Sequence, residues 1–171
     1  MSEVTSGAAS LPVSLREPAE RVSPRAPLVW AAGAVLRSVV LGVALFVASV
    51  VAELFRMPPW AWALYAVLVI GYVAVMPVYR YRVHRWESTD TAVYTQRGWL
   101  TRERRIAPMS RVQTVDLEQG VVSRALGLAD VTVTTASAAG PLRIEGLDRT
   151  VAERLVDELT RRTEAEPGDA T

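Results

Sequence analysis

The residues best placed to do chemistry in this chain are arginines. Arg102, Arg104 and Arg105 form a basic cluster interrupted only by Glu103. Beside a bilayer each basic residue is worth about 1 kcal/mol against anionic lipid, so the three are candidate contacts to headgroups or to a partner. On a solvated strand edge the same charges would simply protect that edge from aggregation, and the sequence weighs the two readings equally. Arg111 and Gln113 fall two apart on an expected strand, so they share a face, with Arg124 in the turn that follows. These read first as structural, tying loops to backbone carbonyls or to Asp116 and Glu118, because buried polar groups serve hydrogen-bond satisfaction before anything else.

Other chemistry is thin. The chain has no cysteine, which removes disulfides, thiolate metal sites and cysteine nucleophiles. His84 is its one histidine, so a histidine-rich metal site is also removed. It lies between Arg82 and Arg85 and reads as an interfacial structural residue rather than a pH sensor. Ser110 and Ser123 have no histidine nearby in sequence and no nucleophile-elbow glycines. No phosphate loop, dinucleotide fingerprint or metal motif occurs. The expectation is a non-catalytic protein with no cofactor. A formal net charge of +1 gives no reason to expect a nucleic-acid partner.

The elements that must carry these residues divide the chain in two. Half of the residues are hydrophobic, and they crowd between Leu28 and Val78, whereas charge dominates from Arg80 onward. Residues 1–27, with Pro12, Pro18 and Pro24, have little to bury and are expected to be a disordered tail. A cleaved signal peptide fits poorly, because the apolar stretch comes late, runs long and follows Glu3, Glu17 and Glu20. Met57 to Tyr79 is free of charge for about 23 residues, enough for a membrane span. Trp60 and Trp62 at one end, and Tyr79 and Tyr81 at the other, suit the two interfaces.

The first apolar segment is less clean. Ser38 to Ala52 is bounded by Arg37 and Glu53, and only with flanks from Val29 to Phe55 does it reach full length. Arg37 is then expected to snorkel toward the headgroups. A short link, Glu53 to Pro59, makes the two helices antiparallel neighbours, so residues 28–79 are expected to form a two-helix transmembrane hairpin. Gly33, Ala34, Gly42, Ala44, Ala48 and Ser49 are small enough to let helices approach, within one chain or between copies. Arg16, Arg21, Arg25 and Arg37 precede the hairpin and Arg80, Arg82 and Arg85 follow it, against Arg56 alone in the link. The positive-inside bias therefore puts both termini in the cytoplasm of a cell-membrane protein.

Residues 80–162 read as a small domain, with 163–171 as a flexible tail. Tyr81–Trp86, Thr91–Gln96, Trp99–Ile106, Arg111–Leu117, Asp130–Ser137 and a strand from Leu142 are expected, with a hairpin turn at Arg97–Gly98. Val121–Leu126 suggests one helical turn closed by Gly127 in the left-handed conformation. A closing helix is announced by a capping-box pattern at Thr150 and Glu153 and by the stripe Val151, Leu155, Val156 and Leu159.

Three segments, Pro108-Met-Ser-Arg-Val-Gln-Thr-Val115, Arg124-Ala-Leu-Gly-Leu128 and Val131-Thr-Val-Thr-Thr-Ala136, resemble in order and spacing a bacterial pleckstrin-homology-like domain of the membrane-associated, unknown-function type. Val112 stands where that pattern usually has isoleucine. The residues that carry the resemblance are Pro108, Arg111, Gln113, Arg124, Gly127, Leu128, Thr135 and Ala136, read as structural. The resemblance spans about Arg37 to Arg162 and extends to the two preceding spans. It implies a membrane α-helical hairpin followed by a mainly-β (α+β) pleckstrin-homology-like sandwich or barrel capped by a C-terminal helix. It implies no reaction.

The expected role is that of a membrane-anchored adaptor. Its spans meet membrane lipids, and its domain associates with a membrane or cytoplasmic protein or with another copy of itself. The alternatives are an anionic-lipid-binding surface module and an accessory subunit of an envelope enzyme or transporter complex. Eukaryotic pleckstrin-homology domains often hold phosphoinositides with basic residues in the first hairpin loop. The corresponding loop here contains Glu87 and Asp90, so phosphoinositide binding is not expected.

Overall fold

A computed structural model describes residues 17–51, 55–137 and 140–165. Most of the expected N-terminal tail, the centre of the interhelical link, Ala138–Ala139 of the expected turn and the last six residues lie outside the described residues. Helix α1 (Ala26–Phe46) opens with a proline in its first turn, where the missing N–H costs nothing, and runs on through a π-helical turn, Val47–Val51. Helix α2 (Pro59–Val83) also opens on a proline. Each apolar stretch, Ala26–Val50 and Pro59–Val83, has 25 residues and is about 37 Å long at 1.5 Å per residue. The hydrocarbon core of a bilayer is about 30 Å thick.

Burial decides what these helices are for. Only 6% and 11% of their most apolar windows are covered by protein. Val39, Val40, Val67, Leu68 and Ile70 are each more than half exposed. A core helix of a soluble protein would hide such side chains, and in water each would forgo about 1.5–3 kcal/mol of burial. Within the hairpin the helices meet at small residues. A side chain on Gly42 would stand 3.3 Å from the Tyr65 ring, and the Tyr65 hydroxyl donates to the Ser38 carbonyl. Ser49 accepts the Met57 N–H at 3.1 Å. Ala44, by contrast, is exposed.

The domain consists of two antiparallel sheets and a closing helix. The first sheet has the order β1-β2-β3-β4, from Glu20–Arg21, Arg85–Ser88, Ala92–Gly98 and Arg102–Pro108. The second has the order β5-β6-β7, from Val112–Glu118, Leu128–Thr135 and Leu142–Asp148. A short helix α3 (Val121–Ala125) joins β5 to β6, and α4 (Arg149–Ala165) closes the chain. Val93, Ala107, Val131, Val133, Ile144 and Leu147 supply the inward faces, and Ala152, Leu155 and Leu159 of α4 cover them.

The hairpin is inserted between β1 and β2 of this domain. Glu20 pairs with Trp86 and Arg21 with Arg85, so the two ends of the hairpin emerge together on one side. Residues 17–27, expected as tail, are therefore part of the fold. Val22 and Ala26 are buried, and Ser23 bridges to the other sheet, donating its N–H to the Gly146 carbonyl (2.9 Å) and its hydroxyl to Asp148 (2.8 Å). A two-residue strand carries no periodicity, and its partners lie 66 (Glu20 to Trp86) and 64 (Arg21 to Arg85) positions away.

The structure shifts several boundaries. The strand expected at Tyr81–Trp86 begins only at Arg85, because α2 continues to Val83. Its last turns bury Met76, Pro77 and Val83 against the domain. Arg97 and Gly98 end β3 rather than forming the turn, which is Trp99–Thr101. Gly98 has φ 137°, and a Cβ there would sit 1.8 Å from the Thr101 carbonyl oxygen. Gly127 closes α3 in the left-handed conformation (φ 69°), as expected. Helix α4 starts at Arg149, which puts Thr150 inside the first turn, and Glu153 takes the Arg149 guanidinium at 2.7 Å instead of completing a capping box. It ends at Ala165, beyond the expected boundary at Arg162.

Candidate functional site

Alternation along β4 separates the arginine cluster. Arg102 and Arg104 share one face, while Glu103 and Arg105 share the other. Arg104 donates to the Gln96 amide oxygen at 2.7 Å, and Gln96 in turn donates to the Val83 carbonyl at 3.1 Å. Arg105 binds Glu103 and the Pro141 carbonyl (3.2 Å). Glu103 also receives Arg97 at 3.0 Å. Hydrogen bonds from Arg105 and Arg97 hold the Glu103 carboxyl below its ordinary range. Of the three expected contact residues, only Arg102 has no hydrogen bond or ion pair among the described residues.

The motif residues take up structural positions, though not the expected pairings. Arg111 lies in a 3₁₀ turn, Met109–Arg111, ahead of β5, and Gln113 sits at a β-bulge, so the two do not share a strand face. Neither the Arg111 nor the Arg124 side chain ties a loop among the described residues. Arg143 takes Glu118 instead (2.7 Å), and Asp116 accepts from Thr114 (3.2 Å). The backbone does the fastening: Ala136 N–H to the Arg111 carbonyl (3.0 Å) and Arg149 N–H to the Gly127 carbonyl (2.9 Å). Leu128 is fully buried, Thr135 ends β6, and Pro108 opens the 3₁₀ turn.

A second group of charges forms where the hairpin enters the domain. Arg37 of α1, Arg80 of α2, Arg97 of β3 and Arg102 of β4 line one open cleft of about 470 Å³, together with Glu103, Glu145, Tyr72 and Trp99. Arg80 is ion-paired with Glu145 and lies 4.5 Å from the centre of the Trp30 ring. Arg97 is paired with Glu103. Arg37 and Arg102 have no such partner among the described residues. The Arg37 guanidinium folds back toward Gly33, four residues earlier, as a snorkelling side chain does. On sequence grounds Arg37 has a snorkelling and orienting role and Arg80 an orienting one, and Glu145 is not singled out. Nothing in local spacing joins positions 37, 80 and 102.

Aromatic side chains fix the depth of this cleft. Trp99, at the β3–β4 turn, rests edge-on against Tyr72 (6.1 Å between ring centres) and Tyr79 (5.7 Å) of α2. These positions lie eleven and four residues before Val83, about 16 and 6 Å back along the helix axis. The turn therefore reaches down beside the last turns of a membrane-length helix. Leu100 at its tip is 86% exposed.

His84 closes the seam on the inner side. It is 1% exposed, 5.4 Å from the Trp30 ring, and neither ring nitrogen has a hydrogen-bond partner among the described residues. Burial lowers its pKa to about 4. Glu145 opposes that shift, and Arg80 and Arg97 reinforce it. The ring is neutral across the physiological range, as befits a structural residue.

Comparison with known proteins places this architecture. The model of the bacterial PH domain family matches residues 33–163. The UPF0699 transmembrane protein YdbS of Bacillus subtilis (strain 168) is 30% identical over 149 residues, covering 85% of this chain and 92% of that protein. No solved structure matches the chain. The pleckstrin-homology-like fold that the three sequence segments imply agrees with the family match, and the membrane spans agree with the name of the relative.

Proposed function

The chain belongs to the bacterial PH domain family, and we propose that it acts as a non-catalytic, membrane-anchored adaptor whose domain associates with other protein chains at the cytoplasmic face of the cell membrane. The observation that carries this reading is the shared core. Trp30 and Ala34 of α1 and Met76 of α2 are buried in the same cluster as Val131, Ile144 and Leu155 of the domain. A domain on a flexible tether would sample all orientations. This one is packed against its own anchor and presents one fixed set of surfaces.

The arginines flanking both ends of the hairpin favour the cytoplasmic side. The sealed position of His84 and the lack of cysteine favour binding over catalysis. The surface best suited to a partner is β5. It is an edge strand with one hydrogen-bonded neighbour, and Gln113, Thr114, Asp116, Leu117 and Glu118 are exposed on it. Val121, just beyond, is 88% exposed. An open edge offers unpaired N–H and C=O groups to an added strand.

A photo-crosslinking residue at Thr114 or Asp116 of the full-length protein, activated in its native membrane, tests this. The expected result is an adduct of discrete mass, absent when the probe is at Arg161 on α4. Two differently tagged copies distinguish self-association from a second protein. Monomer alone at both β5 positions would reject the adaptor reading.

A further inference from the structure

We propose that the cleft between the hairpin and the β3–β4 turn binds the phosphate group of one anionic phospholipid, held by Arg37 and Arg102. The inference goes beyond the adaptor reading and does not depend on it. Four guanidiniums and two carboxylates line the cleft. The carboxylates are committed: Glu145 to Arg80, and Glu103 to Arg97 and Arg105. That leaves two cations lining the same cleft, one on α1 and one on β4, with no ion-pair partner among the described residues. Two guanidinium forks offer up to ten N–H donors in a planar geometry suited to phosphate oxygens.

Location selects the source of that anion. The cleft opens beside the Tyr72–Arg80 stretch of a helix long and apolar enough to span a bilayer. Trp99 and the exposed Leu100 stand at its rim, at the depth of Tyr72 and Tyr79. Leu36 (64% exposed) precedes Arg37, and Val75 (56%) precedes Met76 of the lining. A lipid of the adjoining leaflet thus meets cations for its phosphate and apolar side chains for its acyl chains. A soluble phosphate would use only the first. The β2–β3 turn is not a rival site, because its Asp90 is paired with Arg162 of α4 at 3.0 Å.

The test is native mass spectrometry of the full-length protein released from membranes of mixed phosphatidylglycerol and phosphatidylcholine. The expected result is one retained phosphatidylglycerol in clear preference to phosphatidylcholine. Arg37→Gln with Arg102→Gln should weaken that retention roughly thirtyfold, about fivefold for each charge removed, while Arg161→Gln on α4, outside the cleft lining, leaves it unchanged. Neither Arg37 nor Arg102 fastens another described side chain. If the double variant nevertheless loses its native elution volume, Arg102→Gln alone carries the test, with a fivefold loss expected. Equal retention by wild type and variant, or equal retention of the two lipids, overturns the proposal. Binding of glycerol phosphate as tight as that of phosphatidylglycerol would also overturn it, by making the site one for soluble phosphate.

Discussion

Gly146 of β7 touches Ala26 at the start of α1 so closely that a Cβ built on the glycine would stand 2.5 Å from the alanine Cβ. The glycine also has φ 75°, in the left-handed region. Its N–H donates to Asp130 at 2.7 Å and its carbonyl accepts from Ser23 at 2.9 Å. This is the point where the membrane hairpin is sewn to the second sheet.

Gly146→Ala should therefore be among the most damaging single substitutions in the domain. Left-handed backbone costs an ordinary residue about 1–2 kcal/mol, and the overpacking against Ala26 about 1–3 more. Thermal unfolding of the full-length protein in detergent should show a lowered midpoint, and protease should cut the β6–β7 region sooner. An unchanged midpoint would mean that the hairpin and the domain are not tightly joined.

Arg80 and Glu145 make the second joint, between α2 and β7, with Trp30 stacked on the guanidinium. Both side chains are about three-quarters covered. Glu145→Gln leaves a partly buried guanidinium without its counter-charge and should cost about 1–2 kcal/mol. Arg80→Gln combined with Glu145→Gln should cost less than the sum of the single changes. A double-mutant cycle on unfolding midpoints reads the difference. Strict additivity would show that the pair does not couple.

His84 should make stability depend on pH in one window. The unfolded chain takes up a proton near pH 6.5, whereas burial in the fold delays that uptake to about 4. Between those values the unfolded state binds more protons, so stability rises with pH. The contribution is complete above about 6.5 and is lost as pH falls toward 4, on the order of 3 kcal/mol in all. Unfolding midpoints at pH 7.5, 6 and 5 should fall in that order for the wild type. His84→Leu should flatten the trend, and an equal fall in that variant would place its cause elsewhere.

Leu100 gives a direct reading of how deep the β3–β4 turn sits. The chain lacks cysteine, so Leu100→Cys can be labelled at one position with an environment-sensitive dye. In lipid bilayers its emission should shift to the blue and be quenched by brominated acyl chains, whereas the same dye at Thr114→Cys on β5 should report water. Matching spectra at the two positions would lift the turn out of the interface.

Much of this protein is written in short stretches of its sequence. The spans were legible because a bilayer demands about 20 apolar residues in a row, and Met57–Tyr79 supplies them without a charge. The inner strands were legible because alternation has period two, as in Val131-Thr-Val-Thr. Gly127 announced the end of α3, and the stripe Val151, Leu155 and Leu159 announced the buried face of α4. Where an alternating stretch was also the end of a helix, as at Tyr81–Val83, the local pattern misled, because burial of Met76 and Val83 kept the backbone helical.

The tertiary structure alone decided what those elements enclose. That β1 precedes the hairpin, that Ser23 bridges to β7, and that Arg37, Arg80, Arg97 and Arg102 line one cleft are facts about residues far apart in the chain. Each arginine has an ordinary local reading: a snorkelling cation, a topology signal, a turn residue, a strand edge. Long-range pairing assigns Glu145 to Arg80, and the register of the β3–β4 hairpin assigns Glu103 to Arg97, which together determine which guanidiniums remain for a ligand. Local periodicity fixes the identity and facing of an element. The partners of its charges follow from chain folding, which brings positions 37 and 102 to the same side of the membrane seam.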